Sequence, residues 1–108
     1  MVKREVLVST GKIDVYSWKE MKEGDKGEPL VFGSLLSFKS LQVEGAFGSS
    51  GVLSMEGSNN GKEWFSLTSE IGEVTAPGIY QIRDYAYMVR PAVSGGADVK
   101  LNVYLLVG

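Results

Sequence analysis

At 108 residues, with 44% hydrophobic and 22% charged side chains, the chain has the size and composition of one folded domain built on a single core. Its net charge of -2, with 11 basic residues that never cluster, excludes the electrostatic footprint of a nucleic-acid or anionic-membrane binder. Histidine and cysteine are both absent, which removes the commonest acid-base catalyst and the thiolate nucleophile along with disulfides and thiolate metal sites.

No apolar run approaches the roughly 20 residues that a membrane helix needs. Residues 1–8 lack the apolar stretch and small-residue cleavage site of a signal peptide, so the expectation is a protein made and first folded in a cytoplasm. Glu5 to Ser9 predicts a short strand ended by Thr10-Gly11, and Ile13 to Tyr16 predicts a second with period-two alternation. Residues 1–8 as a whole suit an N-terminal arm or an edge strand. Trp18 to Pro29 is the most charged segment, and its glycines and Pro29 predict a long surface loop.

Leu30-Val31-Phe32 predicts a brief buried strand broken by Gly33-Ser34. Phe38 to Phe47 alternates well, with Lys39, Leu41, Val43, Gly45 and Phe47 on one side, and predicts a long strand with one wet face. After the turn at Gly48-Ser49-Ser50-Gly51, residues 53–67 predict a β-hairpin closed by Ser58-Asn59-Asn60-Gly61, because Asn and Gly tolerate the positive φ of a tight loop. Leu53 and Met55 mark the apolar face of one arm, Phe65 and Leu67 that of the other.

Residues 68–78 carry too many turn formers for a long element. Ile79 to Ile82 predicts a strand, and Tyr85 to Val93 another, with Tyr85, Tyr87, Val89, Pro91 and Val93 in one stripe. Pro91 cannot donate to a ladder, so that end of the strand belongs at an edge or bulge. Val99, Leu101, Val103, Leu105 and Val107 form the cleanest buried stripe, and the final strand should be central. About eight short strands without a helix predict an all-β fold: an antiparallel β-sandwich of jelly-roll or Greek-key type.

Residue chemistry offers no catalytic, cofactor or metal site. Glu44 and Glu56 could face each other as a carboxylate pair, but acids on wet sheet faces are ordinarily solvated. Glu20, Glu23, Asp25 and Glu28 could gather a calcium ion, yet their spacing does not match an EF-hand loop. Trp18, Trp64, Tyr80, Tyr85 and Tyr87 could supply a stacking platform for sugar rings or bases, against the commoner use of aromatics as packing.

Five stretches, in this order, carry a resemblance: Gly24-Asp25-Lys26-Gly27-Glu28-Pro29, Val43-Glu44-Gly45-Ala46-Phe47, Glu56-Gly57-Ser58-Asn59-Asn60-Gly61-Lys62-Glu63-Trp64, residues 87–96 from Tyr87 to Gly96, and the closing apolar strand. From about Gly24 to Val107 the chain resembles small tailed-bacteriophage virion proteins of the capsid decoration, cement or staple type. Asn60 stands where such hairpins usually carry Asp, a change the turn tolerates. The resemblance implies a non-enzymatic jelly roll on the capsid surface of the virion, bound to the shell of major capsid protein of the same phage and acting as a homo-oligomer, dimer or trimer. Val2, Lys3 and Arg4 of the arm, Trp18 and Asp25 of the charged loop, Trp64, Tyr85 and Tyr87 are the candidate interaction residues. A tail or neck component is a variant of this reading. Because the Ser-Asn-x-Gly-x-x-Trp hairpin also resembles discoidin-type carbohydrate-binding modules, binding of surface glycans is the alternative, although those modules are longer and carry a cysteine pair that is missing here.

Overall fold

The computed structural model describes residues 1–31, 39–68, 73–84 and 86–108. Among them are nine strands and no helix: β1 (Glu5–Ser9), β2 (Asp14–Lys22), β3 (Leu30–Val31), β4 (Lys39–Ala46), β5 (Val52–Ser58), β6 (Phe65–Ser66), β7 (Gly78–Gln81), β8 (Met88–Ser94) and β9 (Lys100–Val107). The expectations for Phe32, Gly33-Ser34, Phe38, residues 69–72 and Tyr85 lie outside the described residues.

The strands pair antiparallel into two sheets, ordered β1-β2-β9-β4-β7 and β3-β8-β5-β6. With β1 set aside, β2-β9-β4-β7 and β3-β8-β5-β6 are the two four-stranded halves of a jelly roll. The ninth strand, β1, extends the first sheet at its edge.

Hydrophobic alternation decides which strand lies in the middle. β9 places Leu101, Val103, Leu105 and Val107 in the core, and it is flanked on both sides, by β2 and β4. On β4 the core face carries Leu41 and Val43 and also Lys39, all buried. Burial pushes the Lys39 ammonium below its ordinary pKa of 10.5, and the charge of Asp84 works in the opposite direction.

The segment expected to be a surface loop from Trp18 onward is strand as far as Lys22. Trp18 and Met21 are both fully buried. Side chains three apart cannot share one face of a regular strand. A bulge between Trp18 and Met21 supplies the extra residue, with Glu20 at φ 55 and its N–H donating to Asn102 Oδ1 at 2.9 Å. The charges of Lys19 and Glu20 therefore mark a bulge rather than a loop.

Residues 24–27 run along β8 without forming a regular strand. Gly24 N–H donates to Val93 O (2.9 Å), Val93 N–H to Asp25 O (3.0 Å) and Gly27 N–H to Pro91 O (2.8 Å). β8 is interior in its sheet, yet β3 pairs only with Met88 and Val89. Pro91, lacking an N–H, thus faces an irregular neighbour, as a proline within a ladder requires. Gly27 passes so close that an added Cβ would lie 2.6 Å from Pro91 Cδ and Cγ and from Trp18 Cδ1.

Two outcomes follow from this packing. Gly27→Ala should cost about 1–3 kcal/mol of unfolding free energy, the usual penalty for overpacking, measured by urea denaturation at unchanged m-value. For Lys39, the native pKa lies below the unfolded value of 10.5, so the penalty for burying the charge is complete below the native pKa and fades as pH rises towards 10.5. The stability of the wild type minus that of Lys39→Met should rise with pH over that interval, measured by chemical denaturation at a series of alkaline pH values.

Candidate functional site

The N-terminal arm is folded onto its own chain. Val2 N–H donates to Lys26 O (2.9 Å) and Glu28 N–H to Val2 O (2.7 Å), forming a short parallel bridge with residues 26–28. Arg4 donates its backbone N–H to a Glu28 carboxylate oxygen (3.0 Å) and its guanidinium to Pro29 O, and the guanidinium carbon lies 5.7 Å from the centre of the Tyr16 ring. Of the three arm candidates, Lys3 is exposed while Val2 and Arg4 are part of the fold.

Beyond the arm, β1 is an edge strand exposed along its whole length. Val6, Leu7 and Val8 are 61%, 55% and 41% exposed. A bulge between Val6 and Val8 sets Val6 opposite Tyr16 and Val8 opposite Val15, so β1 carries apolar groups on both faces. The other edge of this sheet, β7, leaves Ile79 exposed as well.

The predicted hairpin is present as β5 and β6, with Gly57 opposite Phe65 and Glu56 opposite Ser66. Its loop is closed by side chains. Ser58 Oγ accepts from Gly61 N–H (2.9 Å), and Asn60 Oδ1 accepts from the N–H groups of Lys62 (2.9 Å) and Glu63 (3.1 Å). Gly61, at φ 75, takes the left-handed conformation, and neither asparagine does. The asparagines serve as hydrogen-bonding turn formers instead. Asn59 Oδ1 accepts from Tyr87 N–H (2.8 Å) and ties the loop to the start of β8.

On the outer face of the same sheet, Glu56 and Arg90 are cross-strand partners. Glu56 Oε1 accepts from Arg90 Nε at 2.9 Å and lies 3.6 Å from Lys26 Nζ. The Arg90 guanidinium carbon sits 4.0 Å from the centre of the Trp64 ring. Trp64 is accordingly half-buried with one face covered by a cation.

Several candidate placements are corrected by burial. Trp18 is enclosed in the core and donates its indole N–H to Glu28 O (2.9 Å), so it presents no surface to a partner or a sugar. Asp25 is half-buried, with its carboxylate accepting from Lys22 N–H (2.8 Å). Tyr87 is 53% exposed, and Tyr85 lies outside the described residues. Glu44 and Glu56 are not a pair: they belong to strands of different sheets, Glu44 accepting from the Tyr104 hydroxyl (3.1 Å) and Glu56 bound to Arg90. Among the described residues no group of three or more acids could hold a metal ion. Glu20 faces Lys100 (3.2 Å) and Glu28 faces the arm.

Phe65 escaped the sequence reading, which placed it with Leu67 on a packed face. It shares that face but is 68% exposed. With Gly57, Ser58, Asn59, Asn60, Glu63, Leu67 and Ala86 it lines a cavity of about 360 Å³. The available signal was its register opposite Gly57, which offers no side chain to cover a ring.

No family model, curated protein or solved structure matches the chain.

Arg90→Ala should lower stability by about 1–2 kcal/mol through loss of the ring contact and of the charge-assisted bond to Glu56. It should also raise the acrylamide quenching of Trp64. Trp18 is fully buried and stays unquenched, so the change in fluorescence reports Trp64 alone.

Proposed function

We propose that the chain is a non-enzymatic structural protein of a bacteriophage virion, a decoration or cement protein that docks on the shell of major capsid protein from the outside and stabilises it. The observation that carries this reading is β1, an edge strand with no strand on its outer side among the described residues and with Val6, Leu7 and Val8 exposed. An open edge of this kind accepts a further strand from a partner: main-chain hydrogen bonds supply affinity, and side chains on both faces supply specificity. The jelly-roll pairing of the sheets and the resemblance between Gly24 and Val107 support the same assignment. The chemistry of the surface agrees, since its charge is low and mixed and suits docking on protein rather than on nucleic acid.

A shell presents many copies of one site, so a homo-oligomeric clamp, dimer or trimer, would gain affinity by multivalency from contacts that are individually weak. In this reading the protein is made in the host cytoplasm and resides on the capsid surface.

Deleting the arm is a poor test, because Val2 and Arg4 brace residues 26–29. Point variants on β1 separate docking from folding. Val6→Lys and Leu7→Lys alter exposed side chains and should change stability by no more than about 0.5 kcal/mol, while binding to shells of the phage's capsid protein, measured by co-sedimentation, should be lost. Undiminished binding by both variants would remove β1 as the docking edge. A wild-type protein that does not sediment with the shell would sink the capsid assignment itself.

A further inference from the structure

We propose that the cavity at the hairpin end of the sandwich is a binding site for a neutral saccharide ring, with Phe65 as its stacking face. The cavity, about 360 Å³ in volume, falls within the range of roughly 300–1,000 Å³ typical of small-molecule sites. Its floor lies over Gly57. An added Cβ there would lie 2.7 Å from Ala86 Cβ and 2.8 Å from Leu67 Cδ1, so the absence of a side chain is what lets Ala86 and Leu67 close in as an apolar floor. Phe65, opposite Gly57 in the ladder, forms a wall whose ring is 68% exposed.

The rim decides the class of ligand. Asn59 Oδ1 is committed to Tyr87 N–H, and Asn60 Oδ1 to the N–H groups of Lys62 and Glu63. Each amide oxygen is thus used within the fold, and the amino group is the donor that each side chain has to offer. Glu63 adds a carboxylate, which only accepts. Two donors and an acceptor beside an aromatic face suit hydroxyl groups, which can both give and take hydrogen bonds. A cationic side chain would find Phe65 and Glu63 favourable but the two amino groups opposed to it. An anion would meet the Glu63 carboxylate. A wholly apolar group would leave the rim donors without partners as it displaced their water. A pyranose satisfies every requirement, with a C–H face against the ring and hydroxyls along its edge.

The site lies on the β5–β6 hairpin, in the sheet that does not contain β1, and the inference is independent of docking on a shell. The test is saturation-transfer NMR on the full chain with a panel of methyl glycosides of glucose, mannose, galactose and N-acetylglucosamine at millimolar concentration. The bound sugar should also shift amide resonances of residues 57–67. Phe65→Ala, at an exposed position, should keep the melting temperature and weaken binding at least about tenfold, as expected when one stacking face is lost. Ile79→Ala, an exposed apolar change on β7, should leave binding intact. Failure of every glycoside to receive saturation, shifts that fall outside the hairpin, or equal binding by wild type and Phe65→Ala would each overturn the proposal.

Discussion

The burial of one indole constrains most of this molecule. Trp18 lies in the core with its N–H donated to Glu28 O, and an indole placed there needs that partner, because an unpaired buried donor is costly. Meeting it holds Glu28 against β2. Residues 26–28 then receive the N-terminal arm through Val2 and Arg4. Gly27 must pass between Trp18 and Pro91 with no room for a side chain, which brings residues 24–27 alongside β8. The two sheets are thus joined by this wrap as well as by contact across the core.

The same arrangement explains where the surface is left open. A jelly roll buries the inner faces of eight strands, and each sheet still ends in edges. β1 extends the five-stranded sheet beyond the four-stranded one, so even Val6, which is paired with Tyr16, a half-buried residue packed against the core, stays largely exposed. At the far end of the other sheet the β5–β6 hairpin leaves Phe65 in a comparable position. Both features are exposed apolar residues on edge strands, which is why docking and binding are proposed there.

Much of the fold was legible in residue order. The stripe from Val99 to Val107 announced a central strand because a strand flanked on both sides must be apolar along its inner face, and β9 is that strand. The hairpin was legible from Leu53, Met55 and the Asn-Asn-Gly turn, and Pro91 from its missing donor. The stretch from Trp18 to Lys22 was not. Its charges hid a strand because a bulge shifts the phase by one residue, and period-two reading has no way to see an inserted residue. The candidate site was legible only in part. Trp64 and Trp18 drew attention as aromatics, but one is capped by Arg90 and the other is core, while Phe65 passed as packing.

By itself the sequence determined the class of the fold, since alternation, turn residues and the absence of any helical period are local properties that a chain carries wherever it goes. It also determined which chemistries the chain lacks the side chains to perform. Tertiary structure alone decided exposure. Whether Phe65, Val6 or Trp18 meets solvent depends on which strand happens to lie opposite it, and that is a property of sheet order and overhang, distributed over residues far apart in the chain. Interaction surfaces are made of exposure, and so they became visible only when the sheets were assembled.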